Sequence, residues 1–136
     1  MTIKGRAAAT RSATDRIRCK HVRDPASPSD GTRFLVDGLW PRGVRKEDVH
    51  VSAWLRDVAP SDELRRWFGH DPERWSGFRR RYFAELDERR DALEPLRAAA
   101  RDGVVTLVFG SREREHNNAV ALAQYLRRRL PRRRRT

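Results

Sequence analysis

Two short stretches of the chain concentrate the residue types that could hold or transform a ligand. The first is Asp37, Trp40, Pro41, Arg42 and Gly43; the second runs from Gly110 to Asn118 as Gly-Ser-Arg-Glu-Arg-Glu-His-Asn-Asn. Arg42 and Arg112 offer planar guanidinium groups, and a pair of these makes a multiply donating clamp for phosphate or carboxylate. Asp37 has the chemistry of a general base, and His116 that of an acid or base, once burial and neighbours tune their protonation. Ser111, Asn117 and Asn118 could orient polar groups of a ligand, although asparagines early in a helix also serve backbone groups. Free amides at the start of the last helix, expected near Ser111 to Glu113, would add partial positive charge. In the competing structural reading, Asp37 pairs with one of the arginines and the Trp40 to Gly43 turn only supports packing.

These residues meet only if particular elements carry them. The alternation from Asp15 to Val22 reads as a half-buried strand, and the Pro- and Ser-containing stretch from Asp24 to Gly31 as a loop. Phe34, Leu35 and Val36 make a short buried strand within residues 33–37, ending at the Trp40 to Gly43 turn. Val104 to Phe109 is continuously apolar or β-branched, which suits a central strand buried on both faces. Between the second and third strands the chain is helical. Ser61 caps a short helix closed by Gly69, and Asp71-Pro72 starts a longer one with the stripe Trp75, Phe78, Tyr82 and Leu86. A further helix spans about 93–101 before Gly103, and the last spans about 115–129. The expected fold is a small single α/β domain with a short, mostly parallel sheet packed against helices. Open parallel sheets bind ligands beyond the carboxyl ends of their strands, so the two chemical stretches should converge on one cleft.

Other candidates are weaker. His70 sits at a helix boundary, His21 and His50 have no metal-ligand spacing, and Cys19 on a strand reads as a small buried side chain. Trp67 and Trp75 share helical faces with other apolar residues, so they read as core rather than as stacking platforms for bases. No Walker loop, dinucleotide glycine fingerprint, nucleophile elbow or zinc-protease helix is present, so neither a cofactor nor a metal is expected.

With 136 residues the chain can bury a core without disulfides, and its single cysteine fits a reducing, cytoplasmic setting. No apolar run is long enough for a membrane span. The net charge of +12 is concentrated at the ends. Residues 1–14 carry Lys4, Arg6 and Arg11 without an acid; residues 127–136 carry Arg127, Arg128, Arg129, Arg132, Arg133, Arg134 and Arg135. Residues 15–126 are therefore nearly balanced. The expected organisation is a basic N-terminal tail over 1–14, an α/β domain over 15–126 and an Arg-rich tail over 127–136, where nucleic-acid affinity would reside.

Three segments in order carry a family resemblance. They are Asp37 through Gly43; Trp54-Leu55, Ala59-Pro60-Ser61 and Glu63-Leu64-Arg65 through Trp67-Phe68-Gly69-His70-Asp71-Pro72; and His116-Asn117-Asn118-Ala119. Together they resemble the YeaO-like family of small bacterial proteins, a branch of domain of unknown function 488, over about residues 15–127. The resemblance implies a compact α/β fold and, the family's role being unassigned, no catalytic residue. The family pattern usually has Arg where this chain has Gly38, and Tyr-Ala-Ala where it has Phe109-Gly110-Ser111. A possible cationic ligand and a phenolic hydroxyl are thus missing. The leading expectation is a pocket for a small anionic ligand, phosphate-bearing or nucleotide-like, with an enzyme using Asp37 or His116 as one form of it. The alternatives are a nucleic-acid-binding accessory protein acting through the Arg-rich tail and a protein-interaction module.

Overall fold

A computed structural model of the chain describes residues 16–129. Four strands, β1 (Ile17–His21), β2 (Thr32–Leu35), β3 (Ala53–Trp54) and β4 (Val105–Phe109), form one sheet in the order β1-β4-β2-β3, every pair parallel. The last strand thus inserts between the first two. All five of its residues are buried, as its unbroken apolar sequence requires for a strand with neighbours on both edges. Ile17 pairs with Val105 and His21 with Phe109 on one side, and Phe34 with Leu107 on the other, so β1, β2 and β4 end at nearly the same level.

Five helices accompany the sheet: α1 (Lys46–Val49), α2 (Asp62–Phe68), α3 (Trp75–Asp87), α4 (Glu94–Asp102) and α5 (Asn118–Arg129). The main core joins Ile17, Phe34, Val36, Val105, Leu107 and Phe109 of one sheet face to the apolar stripes of α2 to α5. Phe78, Tyr82 and Leu86 of α3 lie inside it, while Trp75 is half-buried at its margin. Two tyrosine hydroxyls are used where they are buried: Tyr82 donates to the Val58 carbonyl (2.5 Å), and Tyr125 ties α5 to Asp87 of α3 (2.7 Å).

The opposite sheet face has its own smaller core, Val22, Leu35, Val49 and Val108, sealed by Trp40, Val44, Val51 and Trp54 rather than by long helices. Asp30 anchors the cover there. Its carboxylate accepts from Lys20 and Arg33, and its carbonyl from Thr106, while Arg33 also donates to the carbonyls of Val49 and His50. Burial would raise the Asp30 carboxyl, but hydrogen bonds from Lys20, Ser27 and Arg33 hold it below its ordinary value. Gly31 follows at φ 65°, and a β-carbon there would lie 2.1 Å from the Val104 carbonyl oxygen, so only glycine lets the loop enter β2.

The helix boundaries have visible causes. Ser61 caps α2 through the Leu64 N–H, and Asp71 accepts from the Glu73 N–H to start the single turn Pro72–Arg74 that feeds α3. The last helix starts later than its sequence suggests, at Asn118 rather than near Glu115. Glu113 accepts the N–H groups of Glu115 and His116, and Asn117 accepts that of Val120, so residues 111–117 are folded by side chains before the helix begins. The expected helix amides near Ser111 to Glu113 therefore belong to a loop. Arg127, Arg128 and Arg129 form the final turn of α5; residues 1–15 and 130–136, with Lys4, Arg6, Arg11 and Arg132 to Arg135, lie outside the described residues. Among the described residues no helix is long and apolar enough to cross a membrane.

Candidate functional site

Because β2 and β4 are neighbours and parallel, the chain leaving both strands emerges on the same side of the sheet. The start of α5 joins them there, and together they floor a cleft of about 190 Å³. Asp37 and Ser111 come from the two strand ends, Asn117 and Asn118 from the helix start. The walls are apolar: Leu39, Pro60, Phe68 and Phe78. Arg65 and His70, both exposed, stand on the α2 side.

Asp37 is the most constrained polar group of the floor. Its Oδ2 accepts from the Gly110 N–H (2.8 Å) and its Oδ1 from Asn118 Nδ2 (3.2 Å), and its carbonyl accepts from Trp54 Nε1 (2.6 Å). No arginine pairs with it among the described residues, in contrast to the simplest structural expectation. Burial pushes its carboxyl above the ordinary aspartate value, against the opposing pull of the two hydrogen bonds and of nearby His21. Asp37 can therefore hold a proton more readily than a free aspartate, although both oxygens already serve the fold.

The other predicted residues divide by role. Asn118 donates to the Val36 carbonyl as well as to Asp37, which locks α5 onto the end of β2. Asn117 is buried and spans the turn, donating to the Glu113 carbonyl and accepting from Val120. Ser111 accepts from the Glu113 N–H, so its own hydroxyl proton is available to the cleft. Trp40 turns to the second core: its indole donates to the Val44 carbonyl and meets Trp54 edge-on at 5.3 Å. His116 packs on the edge of Trp75 at 5.1 Å and lies outside the cleft lining, 3.7 Å from the Glu113 carboxylate.

Arg42 and Arg112 are exposed and do not line the cleft. They sit on loops that touch, since a β-carbon on Gly110 would be 3.0 Å from the Pro41 ring. The Arg23 guanidinium reaches to 3.5 Å of where a Gly43 β-carbon would be, and Arg114 grips Asp24 through two hydrogen bonds (2.9 and 3.0 Å). The strand ends thus carry a basic rim outside the cleft rather than a clamp inside it.

Sequence reasoning missed the α2 side altogether. Arg65, Phe68 and His70 line the cleft from the α2 side, and α2 ends in two successive left-handed residues, Gly69 (φ 53°) and His70 (φ 59°). For glycine this conformation is free; for histidine it costs about 1 kcal/mol or more, a strain of the kind that accumulates at binding sites. The signal available in the sequence was Gly69-His70 between two helices, which marks a turn but not its direction. Leu39, the exposed large apolar side chain among the described residues at 59%, forms the opposite lip.

Glu113, Glu115 and His116 bring three potential metal ligands within 4.8 Å of one another. Glu113 is already committed to the N–H groups of Glu115 and His116, which keep its carboxyl below the ordinary value, so this trio braces the turn before α5.

Residues 16–136 match the family model described as the inactive DUF488-N3 subclade. An uncharacterised protein of Mycobacterium tuberculosis is 45% identical over 111 residues, which cover 82% of this chain and 93% of that protein. The uncharacterised protein YeaO of Escherichia coli is 40% identical over 111 residues, covering 82% of this chain and 96% of YeaO. No solved structure matches the chain. The chain that builds this cleft belongs to the YeaO-like branch of the DUF488 proteins, as its three sequence segments suggested.

Proposed function

We propose that the protein binds, without turning over, a small anionic ligand with a flat apolar part, such as a nucleotide-like or aromatic phosphate or carboxylate. The observation that carries this reading is how the cleft divides its labour. The acid of the floor, Asp37, is occupied by Gly110 and Asn118, while the guanidinium of Arg65 and the imidazole of His70 are exposed beside walls of Phe68, Phe78, Pro60 and Leu39. An apolar moiety would rest between those walls and its charged group would meet Arg65, His70 and the Ser111 hydroxyl. The basic rim of Arg23, Arg42 and Arg112 would raise the local anion concentration without touching the ligand. Match to a subclade described as inactive supports binding over catalysis, as do Gly38 and Phe109 in place of the Arg and Tyr of the family pattern.

Thermal unfolding of the full chain against inorganic phosphate, nucleoside monophosphates and aromatic carboxylates tests this. A ligand at a hundred times its dissociation constant stabilises by about 2.7 kcal/mol. The expected result is a shift with compounds that pair a ring with an anion, lost in Arg65→Gln and retained in Arg42→Gln/Arg112→Gln at moderate salt. No shift with any of the three classes, or a shift indifferent to Arg65→Gln, would overturn the reading.

A further inference from the structure

A second surface, on the helix layer behind the Phe68 and Phe78 walls of the cleft, has features that the small-ligand reading does not use. Trp75, Arg79 and Phe83 follow at four-residue intervals along α3 and form one ridge on it. Alongside runs α5, whose Gln124 accepts from Arg79 (3.2 Å) and whose Arg128 lies over the Phe83 ring at 5.6 Å. Arg79 in turn covers Trp75 at 5.5 Å, and His116 closes the other edge of that indole. Arginine and aromatic groups therefore alternate along a seam between two helices, none of the aromatics fully buried. Guanidinium–aromatic contacts elsewhere in this molecule follow from its abundance of arginine. Their alignment in one line does not.

A second observation points to the same place. Among the described residues, two buried side-chain polar atoms have no hydrogen-bond partner, Arg79 Nε and His116 Nδ1, and both residues pack against Trp75. Both atoms lie beneath the surface, so an acceptor-rich partner on the seam would meet the outer guanidinium nitrogens of Arg79, one of which donates to Gln124. Charge agrees: among the described residues neither Arg79 nor Arg128 has a carboxylate partner, and Arg128 is followed in the sequence by Arg129 and Arg132 to Arg135.

We propose that the seam between α3 and α5 is a track for single-stranded nucleic acid. Bases stack on Phe83 and the exposed part of Trp75, and the phosphates are held by Arg79 and Arg128. The ridge from Trp75 to Phe83 is about 12 Å long at the helical rise, which spans about three nucleotides at the ~3.4 Å spacing of one strand. Stacking of this kind accepts any base, so the preference is for unpaired strands over duplex rather than for sequence.

The test uses the full chain and a fluorescently labelled 12-nucleotide oligothymidine, with anisotropy measured across a salt series, against a duplex of the same length. Three variants are compared: Arg79→Gln/Arg128→Gln, Phe83→Leu, and Arg132, Arg133, Arg134 and Arg135 all to Gln. Circular dichroism melts check that each remains folded. The seam predicts that the double variant binds about tenfold more weakly, with the salt slope shallower by about 1.4, since each strand phosphate contact contributes about 0.7. Phe83→Leu weakens the strand several-fold and leaves the duplex unaffected. The tail variant weakens strand and duplex alike, and its residual strand binding still depends on Arg79 and Arg128. Unchanged affinity in the double variant, or equal binding of strand and duplex with equal salt slopes, would overturn the proposal and leave only general attraction of polyanions to a basic chain.

Discussion

Replacing Asp37 by Asn changes one oxygen of the cleft floor into an amino group and removes its ability to ionise, which separates two effects. The carboxylate accepts from Gly110 on one oxygen and from Asn118 on the other. An asparagine can satisfy only one of these donors. Asn118 Nδ2 keeps the Val36 carbonyl at 3.0 Å, so the favourable arrangement points the new carbonyl at Gly110 and the new amino group at Asn118. One bond is lost, and the new amino group faces the Asn118 amino group with no acceptor between them, so the cost is about 2 kcal/mol. Asp37→Ala strands the Gly110 N–H as well and costs about 2–3 kcal/mol.

The pH dependence follows from the raised folded-state pKa of Asp37. A carboxyl whose folded pKa exceeds its unfolded value of 3.8 favours the native state below that value, and this contribution is lost as pH rises through the folded pKa. The protonated carboxyl also retains acceptor capacity on both oxygens, which asparagine lacks. Wild type should therefore exceed Asp37→Asn most at about pH 3.5, and the gap should narrow toward neutrality. Urea unfolding of both proteins between pH 3.5 and 8, at unchanged m-value, measures it. A gap that widens with pH would mean that the hydrogen bonds outweigh burial at Asp37, and the assignment of its elevated pKa would be refuted.

Three further expectations concern single groups. Tyr82→Phe leaves the buried Val58 carbonyl without its donor and should lower stability by about 1–2 kcal/mol, read as a lower urea midpoint; an unchanged midpoint would argue against that bond. His70→Gly relieves a left-handed histidine and should raise stability by about 1 kcal/mol while weakening any cleft ligand, whereas a lower melting temperature would show that His70 is held by contacts rather than strained. Burial pushes the Cys19 thiol from 9.0 to about 11 despite Arg127 nearby, so iodoacetamide at pH 8 should meet about a hundredfold less thiolate in the native protein than in the urea-unfolded chain; equal labelling rates would contradict it.

How much of this was legible depended on whether a feature was local. The strand over 105–109 and its central place were readable because a continuous apolar, β-branched run has few other uses. Ser61, Gly69 and Asp71 marked helix boundaries because capping is a matter of adjacent residues. The two-residue strand β3 was invisible: it exists only because Ser52 and Leu55 find the carbonyls of Arg33 and Leu35. Within the site, Asp37, Ser111, Asn117 and Asn118 followed from strand ends, whereas Arg42 and Arg112 were placed by type alone and proved to face outward. Arg65 and His70 could not be found that way: Arg65 and Arg66 are adjacent on α2 and only packing decides which of them lines the cleft, while the place of His70 depends on the direction a left-handed turn gives the chain after α2.

The segment that leaves β2 supplies both the Leu39 lip of the cleft and, through Trp40, Val44 and Val49, the cover of the second sheet face. One piece of chain therefore answers to two compartments on opposite sides of the sheet. The indole pair Trp40 and Trp54 joins that segment to β3, which Ser52 and Leu55 hold by their hydrogen bonds to β2. If the proposed ligand closes on Leu39, slower amide exchange is expected at β3, at the far edge of the sheet.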